Sequence, residues 1–329
     1  MWGSRGDREG DVGEQLSTAG PSADEAAAKA RLGDLLDKVE VFRGRHCSVA
    51  ELAGGLTNRN YRVTTTEGTF VLRLSSAQSG ELAVNRDHEY RNSAIAASSG
   101  VGAPVVEYLP DEGAMVLGFI EGRTFTDDSF RIPGNIARVA AACRRLHDGP
   151  AFVNDFDMFV IQGRYLEVVL RNGYRLPSDY LDFADVIPRI RAALSVRSDG
   201  TVACNNDLLA GNVIDSGDRI HLIDYEYAGN NDACFELGNI WSECHLTLEQ
   251  LEELVTCYYG HPLADKVARA RLFGLMSQYG WTLWASIQDA ASDLDFDFWT
   301  WGLEKYDRAV QTFRSPELGR LVELVQQVD

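Results

Sequence analysis

The segment Asn205-Asn206-Asp207-Leu208-Leu209-Ala210-Gly211-Asn212, followed by Leu222-Ile223-Asp224-Tyr225-Glu226, holds the residue types that phosphoryl transfer requires. Such a reaction needs a group that accepts or orients the proton of the attacking hydroxyl, and cations that bridge the phosphates and offset their charge. A carboxylate meets the first need. Amide and carboxylate oxygens meet the second, because magnesium prefers hard oxygen donors. Asn212 follows Asp207 by five residues, and an apolar strand delivers Asp224 twelve residues after Asn212. One short loop can bring the three together. An Asn-Asp pair alone more often makes a turn whose side chains cap the backbone, so the combination carries the signal.

Two further regions could serve the same chemistry. Leu52-Ala53-Gly54-Gly55-Leu56-Thr57-Asn58 runs into a strand. Glycine lets the backbone approach a phosphate, and turned N–H groups form an anion-binding concavity, although two glycines at a strand corner also make a plain turn and no Walker A sequence is present. Arg73 sits on the next strand and Glu89 on the helix after it; by themselves they read as solvated surface residues. Far downstream, Tyr279, Trp281, Trp284, Phe296, Phe298, Trp299 and Trp301 concentrate aromatic rings. Trp281 and Trp284 share a helix face by their spacing, and aromatic faces attract quaternary ammonium groups. Core packing is the competing reading for such a stripe. Glu243 and Asp295 would add Coulomb attraction for a cation.

On these residues the chain resembles the choline/ethanolamine kinase family within the aminoglycoside phosphotransferase superfamily, from roughly Val49 to Arg308 and most closely at Asn206 to Asn212 and Leu222 to Gly229. The resemblance implies an α+β, protein-kinase-like fold with a small antiparallel-sheet N-lobe and a larger, mainly helical C-lobe. It implies ATP and Mg2+, with Asp207 as catalytic base or hydroxyl-orienting group and Asn212 and Asp224 as metal ligands. Gly54, Gly55, Thr57 and Asn58 would belong to the nucleotide loop, Arg73 would hold the outer phosphates, and Glu89 would orient Arg73. Backbone groups from Val116 to Ile120 would meet adenine. Phe235-Glu236-Leu237-Gly238-Asn239, with Glu243, is similar to the segment that follows the metal-binding strand in these kinases. Trp281, Trp284 and Trp301 resemble the aromatic cage for a trimethylammonium, so the implied acceptor is choline or a related amino alcohol.

Two positions depart from the family pattern. Asn205 replaces a His that organises the catalytic loop, and an Asn there can keep a hydrogen bond to backbone. Arg73 replaces a Lys, as in the choline-kinase branch, and still supplies fixed charge and several donors. An aminoglycoside-type antibiotic phosphotransferase, another metabolite kinase, and a nucleotide-binding pseudokinase scaffold stay open as alternatives, the last supported only by Asn205.

The elements that must position these residues follow from patterning. Residues 1–22, rich in Gly, Ser, Asp and Glu, read as a disordered tail. An amphipathic helix is expected from Ala23 to Val39 with Ser22 as N-cap. Strands are expected at Ser48 to Leu52, Arg59 to Thr65 and Thr69 to Leu74, with a tight turn at Glu67-Gly68, then a helix at Asn85 to Ser98 and strands at Val105 to Leu109 and Ala114 to Phe119. Beyond a hinge near Gly118 to Gly122 the pattern turns helical: Ile136 to Leu146, Ser178 to Val196, Leu248 to Tyr259 and Ala264 to Gln288. Strand-like pieces at Val202 to Leu208 and Ile220 to Tyr225 interrupt it. The N-lobe is thus read as 23–120 and the C-lobe as 121–329.

Composition narrows the partners. The chain has 329 residues, 45% hydrophobic and 24% charged, with a net charge of -18. That charge argues against nucleic acid and favours a small cationic substrate. No apolar run reaches the roughly 18–20 residues of a membrane span, and the first residues lack a secretory pattern, so a cytoplasmic location is expected. Six cysteines without a C-x-x-C spacing read as reduced thiols and not as a zinc site.

Overall fold

The expected strands Ser48–Leu52 (β1), Asn58–Thr65 (β2), Gly68–Ser75 (β3), Val105–Leu109 (β4) and Ala114–Gly118 (β5) form one antiparallel sheet in the order β1-β2-β3-β5-β4. The computed structural model describes residues 32–52, 57–75, 82, 84–292 and 294–327. The chain divides into two compact units, Met1–Arg45 and His46–Asp329. In the first, a helix (α1) covers 32–38, and the Arg43 guanidinium, beyond its end, donates to the backbone oxygens of Asp37 and Lys38 in its last turn. The rest of the helix expected from Ala23 lies outside the described residues.

In the second unit the hairpin between β2 and β3 turns at Thr66 and Glu67, one residue earlier than the pattern implied, and Gly68 already begins β3. Arg73 therefore stands opposite Asn60 on one side and Met115 on the other, in the middle of the sheet. Helix α2 (Arg86–Ser98) starts at Asn85, whose side chain accepts from the N–H groups of Asp87 and His88. That cap sets the first turn, and Glu89 within it is buried.

Helices dominate after the sheet: α3 (Asn135–His147), α4 (Met158–Asn172), α5 (Val186–Val196), α6 (Ala233–Glu243), α7 (Leu248–Tyr259), α8 (Ala264–Ala291), α9 (Phe298–Phe313) and α10 (Glu317–Leu324). Short strands β6 (Arg123–Thr124), β7 (Val202–Cys204), β8 (Val213–Asp215), β9 (Ile220–Leu222) and β10 (Gly229–Asn231) interrupt them. The expected runs to Leu208 and Tyr225 stop early, at Cys204 and Leu222, because the residues that follow leave the strands to form the loop bearing Asp207 and the turn bearing Asp224.

Helix α8 is the axis of this region. Every residue from Leu272 to Gln288 is buried, as befits a helix covered on all sides. Its neighbours approach at glycines. A Cβ on Gly238 of α6 would stand 2.0 Å from the Ala270 carbonyl oxygen, and one on Gly302 of α9 would stand 2.5 Å from the Ala285 Cβ. Only glycine permits those separations, which bring α6 and α9 against the tryptophans of α8. All six cysteines are free thiols. Among the described residues no helix is long and apolar enough to cross a membrane.

Candidate active site

β7 and β10 pair with Cys204 opposite Gly229, so the chain leaves the sheet at Asn205 and returns some two dozen residues later at the same place. Within that excursion Asn206 and Asp224 adopt left-handed backbone, with φ of 69° and 66°. Asn and Asp tolerate this region better than bulky residues. The Asn206 amide donates to the carbonyls of Cys204, Tyr227 and Gly229 (3.0–3.2 Å) and accepts from Asn231. Glu236, fully buried on α6, accepts the backbone N–H groups of Asn205 and Asn206 at 2.8 and 2.7 Å. Asn205 donates to the carbonyls of Ile223 and Asp224 at 3.1 and 2.8 Å, and its Oδ1 accepts the Asp207 N–H at 3.1 Å. This Asn keeps the backbone hydrogen bonds and joins the segment holding Asp207 to the one holding Asp224.

Asp207 is only partly exposed, and Asn212 donates to its backbone oxygen at 2.9 Å. Burial pushes the Asp207 carboxyl well above the usual carboxylate range, reinforced by Glu243, Asp224 and Glu226 and opposed by Lys305. Arg73 ties the sheet to this loop: its guanidinium lies 2.5 Å from Asp224 Oδ1 and 3.2 Å from Glu89 Oε1. Burial works against the Arg73 charge, but Asp224, Glu89 and Glu226 outweigh it and raise its pKa.

Glu226, quoted within the Asp224 motif but given no role by the sequence, is the centre of this cluster. It accepts from Thr57 Oγ1 (2.7 Å), Asn58 Nδ2 (2.9 Å) and Arg86 (3.2 Å). Thr57 and Asn58, expected to meet nucleotide, thus anchor the end of their loop to the turn that follows Asp224. Gly54 and Gly55 lie outside the described residues. Asn212 spends its Nδ2 on the Asp207 backbone oxygen, which leaves its Oδ1 as a candidate metal ligand, and Asp224 engages Arg73 through Oδ1, which leaves its Oδ2. Those two oxygens, with no sulfur or imidazole among the described residues that line the pocket, make a ligand set of the kind magnesium prefers.

The pocket containing Asp207, Asn212 and Asp224 continues to Tyr227, Glu243, Trp281, Trp284 and Trp301. The other aromatics separate from it. Tyr279 stacks on Tyr180 in the core, and Trp299 carries the Arg175 guanidinium 4.0 Å from its ring centre. Asp295 is exposed and does not line the pocket. Sequence reasoning missed Tyr227, which receives the Trp284 indole N–H at 2.8 Å, and Lys305, which hydrogen-bonds to Glu243. The signal for Lys305 was its place four residues after Trp301.

Behind the loop, His147, Cys204 and Glu236 bring metal-type donors within 4.8 Å of one another. Both oxygens of Glu236 already receive backbone N–H groups, and His147 Nδ1 shares a 2.8 Å hydrogen bond with the Tyr258 hydroxyl. The group acts as a support for the loop.

Comparison with known proteins supplies the family. The family model for choline/ethanolamine kinases matches residues 49–258. The chain belongs to the choline/ethanolamine kinase family. As a member it is a small-molecule kinase, with a nucleotide side and an alcohol-acceptor side. Protein LicA of Haemophilus influenzae is 24% identical to this kinase over 287 residues, covering 83% of this chain and 82% of that protein. The crystal structure of a choline/ethanolamine kinase family protein from Mesorhizobium loti matches at a TM-score of 0.79 and 30% identity, over 91% of this chain and 99% of that one. An aminoglycoside phosphotransferase shares the fold at a TM-score of 0.65 and 15% identity, over 87% and 100% of the two chains.

Proposed function

We propose that this kinase transfers the γ-phosphate of ATP to the hydroxyl of choline or ethanolamine. The observation that carries the reading is one pocket in which Asp207, Asn212 and Asp224 meet Trp281, Trp284 and Trp301. Asp207 orients the acceptor hydroxyl and takes its proton as the alcohol oxygen bonds to the γ-phosphorus and ADP departs. A carboxyl pushed upward by burial suits that proton transfer. Asn212 and Asp224 would hold magnesium, which when bound offsets the charge of the phosphates. Arg73, fixed by Glu89, supplies positive charge for the outer phosphates. Trp281 and Trp284 hold the acceptor's cationic end, each ring face contributing up to about 2 kcal/mol when desolvated, and Trp301 completes the wall behind them.

The test is magnesium-dependent ATP consumption across a panel of amino alcohols, aminoglycosides and sugars. Efficient turnover of choline or ethanolamine is expected. Turnover of an aminoglycoside or sugar with none of any amino alcohol would replace this reading, and nucleotide binding without turnover of any acceptor would make the protein a scaffold.

A further inference from the structure

Lys305 lies one helical turn beyond Trp301 on α9 and reaches back to the wall of the acceptor pocket. Its ammonium is 3.9 Å from the centre of the Trp301 ring and hydrogen-bonds to Glu243. The two side chains of this ion pair are nearly sealed, 3% and 4% exposed. A carboxylate and an aromatic face of the pocket are therefore already serving an ammonium, and that ammonium belongs to the chain itself.

Trp281 and Trp284 differ. Among the described residues no Lys or Arg stands over either ring. Their indole N–H groups are spent inside the protein, on Asn239 Oδ1 at 3.4 Å and on the Tyr227 hydroxyl at 2.8 Å. What they offer a ligand is ring surface. A primary ammonium brings three N–H donors that need acceptors once water is stripped away. A trimethylated ammonium brings none, and ring faces match it without hydrogen bonds. Glu243, a carboxylate of the same pocket, is committed to Lys305.

We propose that Lys305 is a resident cation that fixes the choice of head group: by neutralising Glu243 and covering Trp301, it makes the pocket select a trimethylated over a primary ammonium. The proposal rests on the amino-alcohol reading above. Removing the lysine charge returns Glu243 to the pocket as an acceptor, which helps ethanolamine more than choline.

The decisive experiment compares kcat/KM for choline and ethanolamine in the wild type, Lys305→Met and Lys305→Gln. The wild type is expected to prefer choline, and the ratio to fall roughly tenfold or more in Lys305→Met, the worth of one charge-assisted hydrogen bond. Lys305→Gln keeps a donor against Glu243 and decides the question if the Met variant does not fold; its ratio should fall in the same direction. A wild type that prefers ethanolamine, or a folded variant with an unchanged ratio, overturns the proposal. Calorimetric titration with tetramethylammonium and methylammonium chlorides provides an arm independent of turnover. If the wild type phosphorylates neither amino alcohol, the functional reading fails, while the relative affinity for these two cations, and its shift in the variants, still decides the role of Lys305.

Discussion

The two sides of the pocket are held by different forces. On the phosphate side, Arg73, Arg86, Glu89, Asp224 and Glu226 form a web of ion pairs that joins the sheet, α2 and the catalytic loop across up to 151 residues of chain. On the acceptor side, Trp281, Trp284 and Trp301 are placed by helices in close contact at Gly238 and Gly302. A charged web adapts when a partner of opposite sign arrives, since its members can exchange one pairing for another. Close-packed helices do not adapt, because interiors have crystal-like density. The phosphate side is thereby suited to rearrange around an anion, and the acceptor side to present a fixed shape.

Substitutions can break each side separately. Asp207→Asn should lower kcat at least a thousandfold while leaving ATP affinity within about threefold; steady-state ATP consumption and a nucleotide titration check both halves. Next in size, Gly238→Ala forces a methyl onto the Ala270 carbonyl and should cost about 3 kcal/mol of stability, read from the urea midpoint. If that variant is as stable as wild type, the packing account of the acceptor side fails. Glu226→Gln withdraws the charge shared by Asn58, Arg86 and Arg73, and should raise the KM for ATP roughly thirtyfold, about 2 kcal/mol, with the amino-alcohol KM little changed. Trp281→Leu should do the converse, raising the amino-alcohol KM roughly tenfold with ATP unaffected. Equal movement of both constants in either variant would mean the two sides are one mechanical unit.

The smallest effect concerns pH. The Asp207 carboxyl has its folded-state pKa raised above the unfolded value, chiefly by burial. Across that window the folded chain keeps a proton that the unfolded chain has released, so stability falls as pH rises through it. Asp207→Asn abolishes the penalty. Its melting temperature should exceed that of the wild type at pH 8, and the gap should close as pH falls below about 4. A variant that is less stable than wild type at pH 8 contradicts the assignment of Asp207 as a carboxyl raised by its surroundings.

Legibility in the sequence followed the same division. That Asp207, Asn212 and Asp224 share one pocket could be anticipated because phosphoryl chemistry dictates residue type and spacing together. The sheet could be read because its short strand-like runs end in turns, apart from one residue at the Thr66 turn. Helix α6 could not: nearly all of its residues are buried, including Glu236 and Asn239, so no polar face marks its period. Glu226 and Lys305 escaped for another reason. A carboxylate that gathers Thr57, Asn58 and Arg86, and a lysine facing a glutamate 62 positions earlier, are defined by contacts between distant segments. The aromatic stripe was half legible, since its spacing showed which rings share a face but not that Tyr279 faces the core and Trp299 lies beneath Arg175.

Chain order adds a consequence to the burial of α8. The residues of the phosphate side have all been synthesised once Glu226 emerges, whereas the acceptor side waits for Trp301 and Lys305 on α9. A growing chain on the ribosome therefore holds every residue of its charged web early, and α8 lacks the cover of α9 until the end of synthesis nears. Stopping translation between Ala291 and Phe298 would yield a chain holding its phosphate-side residues but lacking the third tryptophan and the resident lysine. Such a chain would be a natural client for chaperones that recognise exposed apolar helix.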